Sequence, residues 1–147
     1  MEHGAPHERR FRIVELGGAL PVGYALNDAG LVAGEVWDSA RSCVKAALVV
    51  DGALHELPVL GGSFSRARGI NNRGDVVGDA LTPGDASHHA FLVTGGVTYD
   101  LNNLIDDGSG WELLHGLAIN NSGTILALGS RDGVDRLCLV VPRARGT

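Results

Sequence analysis

His115 is the residue of this chain best suited to acid–base chemistry. An imidazole titrates near neutral pH and can give or take a proton. Trp111 stands four residues before it, and an indole could form the wall of an apolar pocket. Trp37, near the end of a predicted strand, could line the same end of the molecule. We therefore predict His115 as a candidate catalytic residue and Trp37 and Trp111 as ligand-binding residues. The alternatives are a surface histidine before a strand and, for Trp37, simple packing between sheets.

Three basic residues occupy one position of a sequence pattern that occurs three times. The three copies read Lys45-Ala46-Ala47, His89-Ala90-Phe91 and Arg136-Leu137-Cys138. If the copies are structurally equivalent, their basic groups could converge on an anion. We therefore predict Lys45, His89 and Arg136 as ligand-binding residues, and the alternative is three unrelated, solvated strand ends.

Acidic residues form a second set, in which each member stands immediately before a leucine. Its members are Glu15, Glu56 and Asp100. Pairing with the basic set across a hairpin would give ordinary exposed ion pairs of about 0.2 to 1 kcal/mol. We predict this structural role rather than an acid–base pair.

No metal site is predicted. His88 and His89 are adjacent, and successive residues of a strand point to opposite faces, so both cannot easily bind one ion. No cysteine or histidine pair has the spacing of a zinc site. The loop Asp106-Asp107-Gly108-Ser109-Gly110 lacks the alternating carboxylates of a calcium loop. We also predict no cofactor.

Composition limits the partners of the chain. A net charge of −5 gives no general attraction to phosphate, which argues against nucleic acid. No apolar stretch has the length of a membrane span or the character of a secretory signal. Two cysteines, Cys43 and Cys138, are predicted to be free thiols of a cytoplasmic protein. The expected partner is a small molecule or a protein ligand, with a homodimer as a further possibility.

The main organising feature is a short phrase that occurs three times, each time before an apolar run. The three copies are Leu26-Asn27-Asp28-Ala29-Gly30, Ile70-Asn71-Asn72-Arg73-Gly74 and Ile119-Asn120-Asn121-Ser122-Gly123. Their glycines are 44 and 49 residues apart, with the extra five residues in the loop 106–110. Asparagine and glycine favour tight turns, and each copy predicts four short antiparallel strands.

The apolar runs predict how the repeats pack. Val76 and Val77 are adjacent and therefore face opposite sides of a strand. Strands that are apolar on both faces need a sheet on each side, as in the blades of a β-propeller. We predict an all-β fold of three four-stranded antiparallel repeats that resemble propeller blades. The alternative is a β-trefoil or a β-prism with threefold symmetry.

The third repeat ends at Pro142, before a fourth strand. Residues 11–18 match the fourth strands of the other repeats, so we predict that they complete the last blade. The expected organisation is a frayed terminus at 1–10, one domain at 11–142 and a tail at 143–147. Within the domain the repeats cover about 19–62, 63–105 and 106–142, plus the strand 11–18. Because propellers typically have four to eight blades, two chains could close a six-bladed ring.

Several phrases resemble the HAF-repeat family of bacterial β-repeat proteins. They are Leu60-Gly61-Gly62-Ser63-Phe64-Ser65, Gly69-Ile70-Asn71-Asn72-Arg73-Gly74-Asp75-Val76-Val77-Gly78 and His89-Ala90-Phe91-Leu92-Val93. The likeness covers residues 11–142, and its His-Ala-Phe phrase is changed in the first and third copies. The resemblance implies repeated, blade-like β-units. It carries over no catalytic residue.

Two functions follow as predictions. The first is a non-catalytic β-repeat module that binds a ligand or a protein. The second is a small-molecule enzyme, such as a cyclase, isomerase or hydrolase, with an apolar pocket between blades or between two chains. A deep pocket shared by Trp37, Trp111 and His115 would favour the second.

Overall fold

The computed structural model describes residues 9–16 and 22–143, and it confirms an all-β chain. The first sheet contains the strands β1 (Val22–Leu26), β2 (Val32–Asp38), β3 (Cys43–Val50) and β4 (Ala53–Glu56). The middle sheet contains β5 (Ser65–Ile70), β6 (Val76–Leu81), β7 (His88–Thr94) and β8 (Val97–Asp100). The third sheet contains β9 (Trp111–Ile119), β10 (Ile125–Arg131) and β11 (Val134–Val140). Single 3-10 turns lie at Pro83–Asp85 and Leu101–Asn103.

Each sheet is an antiparallel meander in which neighbours in sequence are neighbours in space. The sheets are separate from one another, and none closes on itself. Their registers match: Lys45 lies opposite Val36, His89 opposite Ala80 and Arg136 opposite Gly129, at the same distance from the turn glycine in each sheet. The three basic residues therefore hold equivalent positions on β3, β7 and β11.

The repeated phrase forms the turn between the first two strands of each sheet. Gly30, Gly74 and Gly123 have φ angles of 82°, 83° and 88°, which glycine adopts without steric cost. The side-chain oxygen of each asparagine accepts hydrogen bonds from the amides two and four residues later, as Asn71 does from Arg73 and Asp75. This Asx-type bonding explains why both residue types occur in every copy.

Hydrogen bonds connect the three turns in series. Asn27 Nδ2 donates to the Asn71 carbonyl oxygen at 3.0 Å, and Asn71 Nδ2 donates to the Asn120 carbonyl oxygen at 3.0 Å. The Asp28 amide donates to Asn72 Oδ1 and the Asn72 amide to Asn121 Oδ1, both at 2.8 Å. We call this series the turn ladder. Because the same two contacts occur at both junctions, adjacent sheets are related in the same way at the turns between their first two strands.

The middle sheet is buried on both faces, as its doubly apolar strands predict. One core cluster joins it to the first sheet through Ala33, Ala46, Ala67, Ile70, Val76, Ala80 and Phe91. A second joins it to the third sheet through Val77, Ala90, Leu101, Leu113, Ile125 and Ala127. Small residues allow this close approach: a Cβ at Gly116 would lie 3.0 Å from Val77 Cβ.

The N-terminal segment does not complete the third sheet within the chain. Residues 9–16 form no strand, and Phe11 and Ile13 are 81% and 94% exposed. The third sheet has three strands, and the outer edge of β11 has no partner among the described residues. The physical reason is the order of the sheets: this segment leads into the first sheet, and the middle sheet lies between the first and the third. Predictions for residues 1–8, 17–21 and 144–147 fall outside the described residues.

Both cysteines are free thiols, as predicted, with Cys43 buried and Cys138 half-buried. Within residues 9–16 and 22–143, no helix has the length and apolar character needed to cross a membrane.

Candidate functional site

A cluster of polar side chains surrounds Asp79, a fully buried carboxylate in the otherwise apolar strand β6. Arg68 Nε donates to Oδ1 at 2.7 Å, and Arg66 Nε lies 3.3 and 3.2 Å from the two carboxylate oxygens. His88 Nε2 is 2.6 Å from Oδ2. We call Asp79, Arg66, Arg68, His88 and the neighbouring His115 the Asp79 cluster. Its buried charge is compensated by two guanidinium groups.

β-Bulges position the basic members of this cluster. The register of β5 against β6 shifts between Ala67 and Gly69, so Arg68 is the extra residue of a bulge. Arg66 and Arg68 can therefore both reach Asp79. Strand β9 has two such shifts against β10, which leave Leu114 and Leu117 as extra residues on either side of His115. Bulges redirect side chains and are common next to functional sites.

His115 faces the cluster with an unsatisfied ring nitrogen. Its Nδ1 lies 3.4 Å from Asp79 Oδ2, too long and too poorly directed for a hydrogen bond. This buried nitrogen has no hydrogen-bond partner among the described residues. The rings of His88 and His115 are 4.7 Å apart between centroids, and both remain partly open to solvent.

The electrostatics of the cluster favour an ionised aspartate beside a neutral histidine. Burial raises the pKa of Asp79, but the hydrogen bonds from Arg68 and His88 and the charges of both arginines outweigh it and hold the pKa below its usual range. Burial lowers the pKa of His115, against the opposing pull of Asp79. Protonation of His115 is therefore disfavoured at neutral pH.

A metal ion fits this cluster poorly. Asp79, His88 and His115 offer three ligand atoms within 4.8 Å of one another. However, Arg66 and Arg68 already occupy both carboxylate oxygens, and their two positive charges would repel a cation.

The cavity that Trp111 lines includes neither Trp37 nor His115. His115 lies in the Asp79 cluster, whereas Trp111 lines a different cavity beside Arg131. Trp37 lies on the first sheet and is 56% exposed. Neither described cavity is shared by the three residues, so this observation does not support the enzyme hypothesis.

The three basic residues of the repeated pattern have different surroundings. Lys45 Nζ donates to the Gly62 carbonyl oxygen at 3.3 Å. His89 Nε2 lies 3.1 Å from Glu112 Oε2. Lys45 and His89 thus each contact the part of the chain at the start of the next sheet: Gly62 lies just before β5, and Glu112 lies in β9. No further sheet follows β11 in the described part of the chain, and Arg136 is exposed there.

A cross-hairpin ion pair occurs in the middle sheet as predicted, but it is largely buried rather than exposed. His89 Nδ1 is 2.7 Å from Asp100 Oδ2, and both side chains are largely buried. Burial lowers the pKa of His89, but its bonds to Asp100 and Glu112 outweigh it and raise the pKa above the usual value. In the first sheet Glu56 is exposed and Lys45 bonds elsewhere, and Glu15 lies in the strandless segment 9–16.

An apolar groove of about 630 Å³ follows β11 and the segment between β8 and β9. Its lining includes Leu104, Ile105, Trp111, Leu139, Val140 and Val141. In the other two sheets a fourth strand, β4 or β8, pairs with the strand that corresponds to β11. The groove therefore lies beside the position that a fourth strand of the third sheet would take. We call it the edge groove.

Sequence reasoning missed Asp79, Arg66 and Arg68. A signal was present, because Asp79 is the one charged residue of the run Val76–Leu81. A carboxylate in a strand that is buried on both faces must be paired with a positive charge or with hydrogen-bond donors. The identity of its partners depends on the bulge at Arg68, which the sequence pattern does not show.

Comparisons with known proteins give no match: no family model, no curated protein and no solved structure matches the chain. The resemblance to the HAF-repeat family therefore stays a prediction, and function must be argued from the geometry.

Proposed function

We propose that this protein is a non-catalytic binding module with propeller-like blades, and that it binds an extended strand of a protein partner along β11. The observation that carries the proposal is the open edge of the third sheet. Among residues 9–16 and 22–143, β3 and β7 are each paired on both sides, whereas β11 pairs only with β10. An unpaired edge presents backbone donors and acceptors to any extended chain, which is the basis of β-augmentation.

The edge groove supplies apolar contacts beside those backbone groups. Its lining is mostly leucine, isoleucine and valine with the indole of Trp111. A partner strand with alternating apolar residues would place every second side chain in the groove. Main-chain hydrogen bonds would then provide affinity, and the groove would select the side chains.

The proposal is tested with a labelled peptide that has the sequence of residues 95–102, the segment around the fourth strand of the middle sheet. We expect saturable binding to the full-length protein, measured by fluorescence anisotropy. Leu104→Asp should abolish this binding because it places a charge in the edge groove, where Leu104 is half-exposed. Val97→Asp is the matched control, since Val97 is 49% exposed on β8 and lies outside the groove.

Two results would contradict the proposal. One is the absence of peptide binding at any concentration by protein that is monomeric by light scattering, since a second copy seated on the edge would itself exclude the peptide. The other is equal binding by a peptide with proline at the positions of Thr98 and Tyr99, because proline removes the amides that pair with β11. Circular dichroism of both protein variants establishes that they keep the β fold.

The second candidate function is a small-molecule enzyme that uses His115. The unsatisfied, buried Nδ1 beside Asp79 favours it, since catalytic groups often have perturbed environments. A thermal-shift screen of small metabolites distinguishes this candidate. A compound that stabilises the protein but not its His115→Ala variant would support a site at the Asp79 cluster. Equal stabilisation of both would remove His115 from the function.

A further inference from the structure

We infer that the strand bound along β11 is residues 11–16 of a second copy of this chain, so that two chains form one closed ring of six sheets. The inference rests on the proposed function and names the partner of the same edge. Four features of the chain support it: the order of its strands, the charges at the edge, the ends of the turn ladder and the apolar faces of the terminal sheets.

The order of strands places residues 11–16 in the fourth-strand position. β4 ends at Glu56, directly before the chain enters the middle sheet at Ser65, and β8 ends at Asp100, directly before β9. In both cases, therefore, the fourth strand of one sheet comes before the first strand of the next sheet in the sequence. Residues 11–16 precede β1, so they are the fourth strand of a sheet that would lie before the first one. In a ring of two chains, that sheet is the third sheet of the other copy.

The residue types of the segment fit this position. Phe11, Ile13, Val14 and Leu16 are exposed in the single chain, where nothing covers them among the described residues. In the middle sheet Asp100 lies opposite Phe91 and bonds to His89. The corresponding residues at the edge are Glu15, Cys138 and Arg136. The segment therefore brings the Glu15 carboxylate close to Arg136. Of the three basic residues, Arg136 is the one whose side chain has no hydrogen-bond acceptor among the described residues of its own chain.

The turn ladder is open at both ends. Asn27 and Asn71 each donate to the turn of the next sheet, and the Asp28 and Asn72 amides do the same. Asn120 Nδ2 and the Asn121 amide, which would continue the series, donate to no group in the described residues. At the other end, Asp28 carries a carboxylate where the second and third turns carry the accepting asparagines. The donor end of one copy thus matches the acceptor end of another.

The outer faces of the two terminal sheets are also complementary. On the third sheet Leu126 and Leu137 are exposed, although their counterparts in the middle sheet, Val77 and Ala90, are fully buried. On the first sheet Leu26 is exposed, although its counterpart Ile70 is buried against a neighbouring sheet. Contact between these two faces would be head to tail and would occur twice, which closes the ring around a twofold axis.

The register of this contact can be tested with one engineered disulfide. Glu56 lies opposite Ala47, and the adjacent Leu57 amide donates to the Ala46 carbonyl oxygen, so the Glu56 pair is a non-hydrogen-bonded one. The equivalent pair is Glu15 of one copy and Cys138 of the other. Such pairs have Cα atoms about 4.5 Å apart, within the roughly 4.4 to 6.8 Å range of a disulfide.

We expect the full-length Glu15→Cys variant, under mild oxidation, to shift from 15.3 kDa to twice that mass on a non-reducing gel. Val14→Cys is the matched control, because its side chain points to the opposite face of the strand and should cross-link far less. Adding Cys138→Ser to Glu15→Cys should abolish the shift, since the other cysteine, Cys43, is buried in the first sheet. The untreated protein should have the mass of a dimer by light scattering.

Three outcomes would overturn the inference: a monomeric solution mass without cross-linking, a disulfide within one chain, or equal cross-linking of Val14→Cys. These failures are separable from failure of the proposed function. If the peptide of residues 95–102 binds while no cross-link forms, the edge binds another protein and only the second copy is excluded. If neither occurs, the binding edge itself is excluded.

Discussion

The middle and third sheets differ in one informative way on the face that points away from the first sheet. We call this face of the middle sheet, packed against the third sheet, the covered junction, and this face of the third sheet the open face. In the middle sheet this face is covered, and Ala90 is fully buried. In the third sheet the equivalent residue is Leu137, which is 65% exposed. A small residue suits a junction in which the chain itself holds the sheets at close distance. A larger apolar residue on an open face suits a junction that must be formed by association, because affinity then depends on the apolar area it buries.

Polar residues differ between the same two faces. Asp79 lies in the covered junction, where Arg66, Arg68 and His88 compensate its charge. Its counterpart in the third sheet, the fifth residue after the turn glycine, is Leu128. A buried carboxylate is tolerable only where its partners are supplied reliably. The covered junction therefore has a fixed polar network, whereas the equivalent position on the open face of the third sheet holds an apolar side chain.

Loss of the Asp79 carboxylate should have the largest effect on folding. Asp79→Ala leaves two arginines without their carboxylate in a junction that stays closed, and we expect a loss of about 3 to 5 kcal/mol in the free energy of unfolding. Urea denaturation followed by circular dichroism measures it. Asp135→Ala, an exposed substitution on β11, is the control and should change stability by less than about 0.5 kcal/mol. If the two variants unfold at the same urea concentration, the Asp79 network does not stabilise the junction.

Exchange of the equivalent apolar residues tests the comparison directly. Ala90→Leu inserts the residue of the open face into the covered junction, and overpacking should cost about 1 to 3 kcal/mol. Leu137→Ala inserts the residue of the covered junction into the open face. It should leave the stability of the single chain nearly unchanged and weaken dimerisation, measured by analytical ultracentrifugation.

If both changes destabilise folding equally, the face of the third sheet is packed within the single chain in the same way as the covered face of the middle sheet. A fully stable Ala90→Leu variant would also remove the difference between the two faces, because the covered junction would then have room for a larger side chain.

Sequence patterns could predict the repeat but not the site. The spacing of Gly30, Gly74 and Gly123 was sufficient to place Lys45, His89 and Arg136 at equivalent positions, because turns and alternation are local features. The contact between His115 and Asp79 depends on two bulges in β9 and on the packing of separate sheets, and neither is a local feature. The N-terminal segment 11–16 also shows that local patterns do not determine which sheets come together. Its strand pattern was readable, but the sheet it could join in a single chain is on the far side of the molecule.

The smallest expected effect concerns pH, and it should distinguish the covered junction from the open face. His89 has a raised pKa, so its contribution to stability is complete below about pH 6.5, the usual pKa of histidine, and is lost as the pH rises through its folded pKa. His115 has a lowered pKa, so its contribution is complete above about pH 6.5 and is lost as the pH falls through its folded pKa. Both residues belong to the covered junction. The melting temperature should therefore have a maximum near pH 6.5 in a series from pH 5 to 8.5.

Single variants separate the two sides of this profile. His89→Gln should flatten the alkaline side, and His115→Gln the acidic side, because glutamine does not titrate. The open edge has Arg136 in place of His89, and arginine stays charged throughout this range. The dimer mass at constant protein concentration should therefore not change between pH 6 and 8.5. A dimer that dissociates in step with the alkaline fall in melting temperature would mean that the edge contact depends on a titrating group other than Arg136.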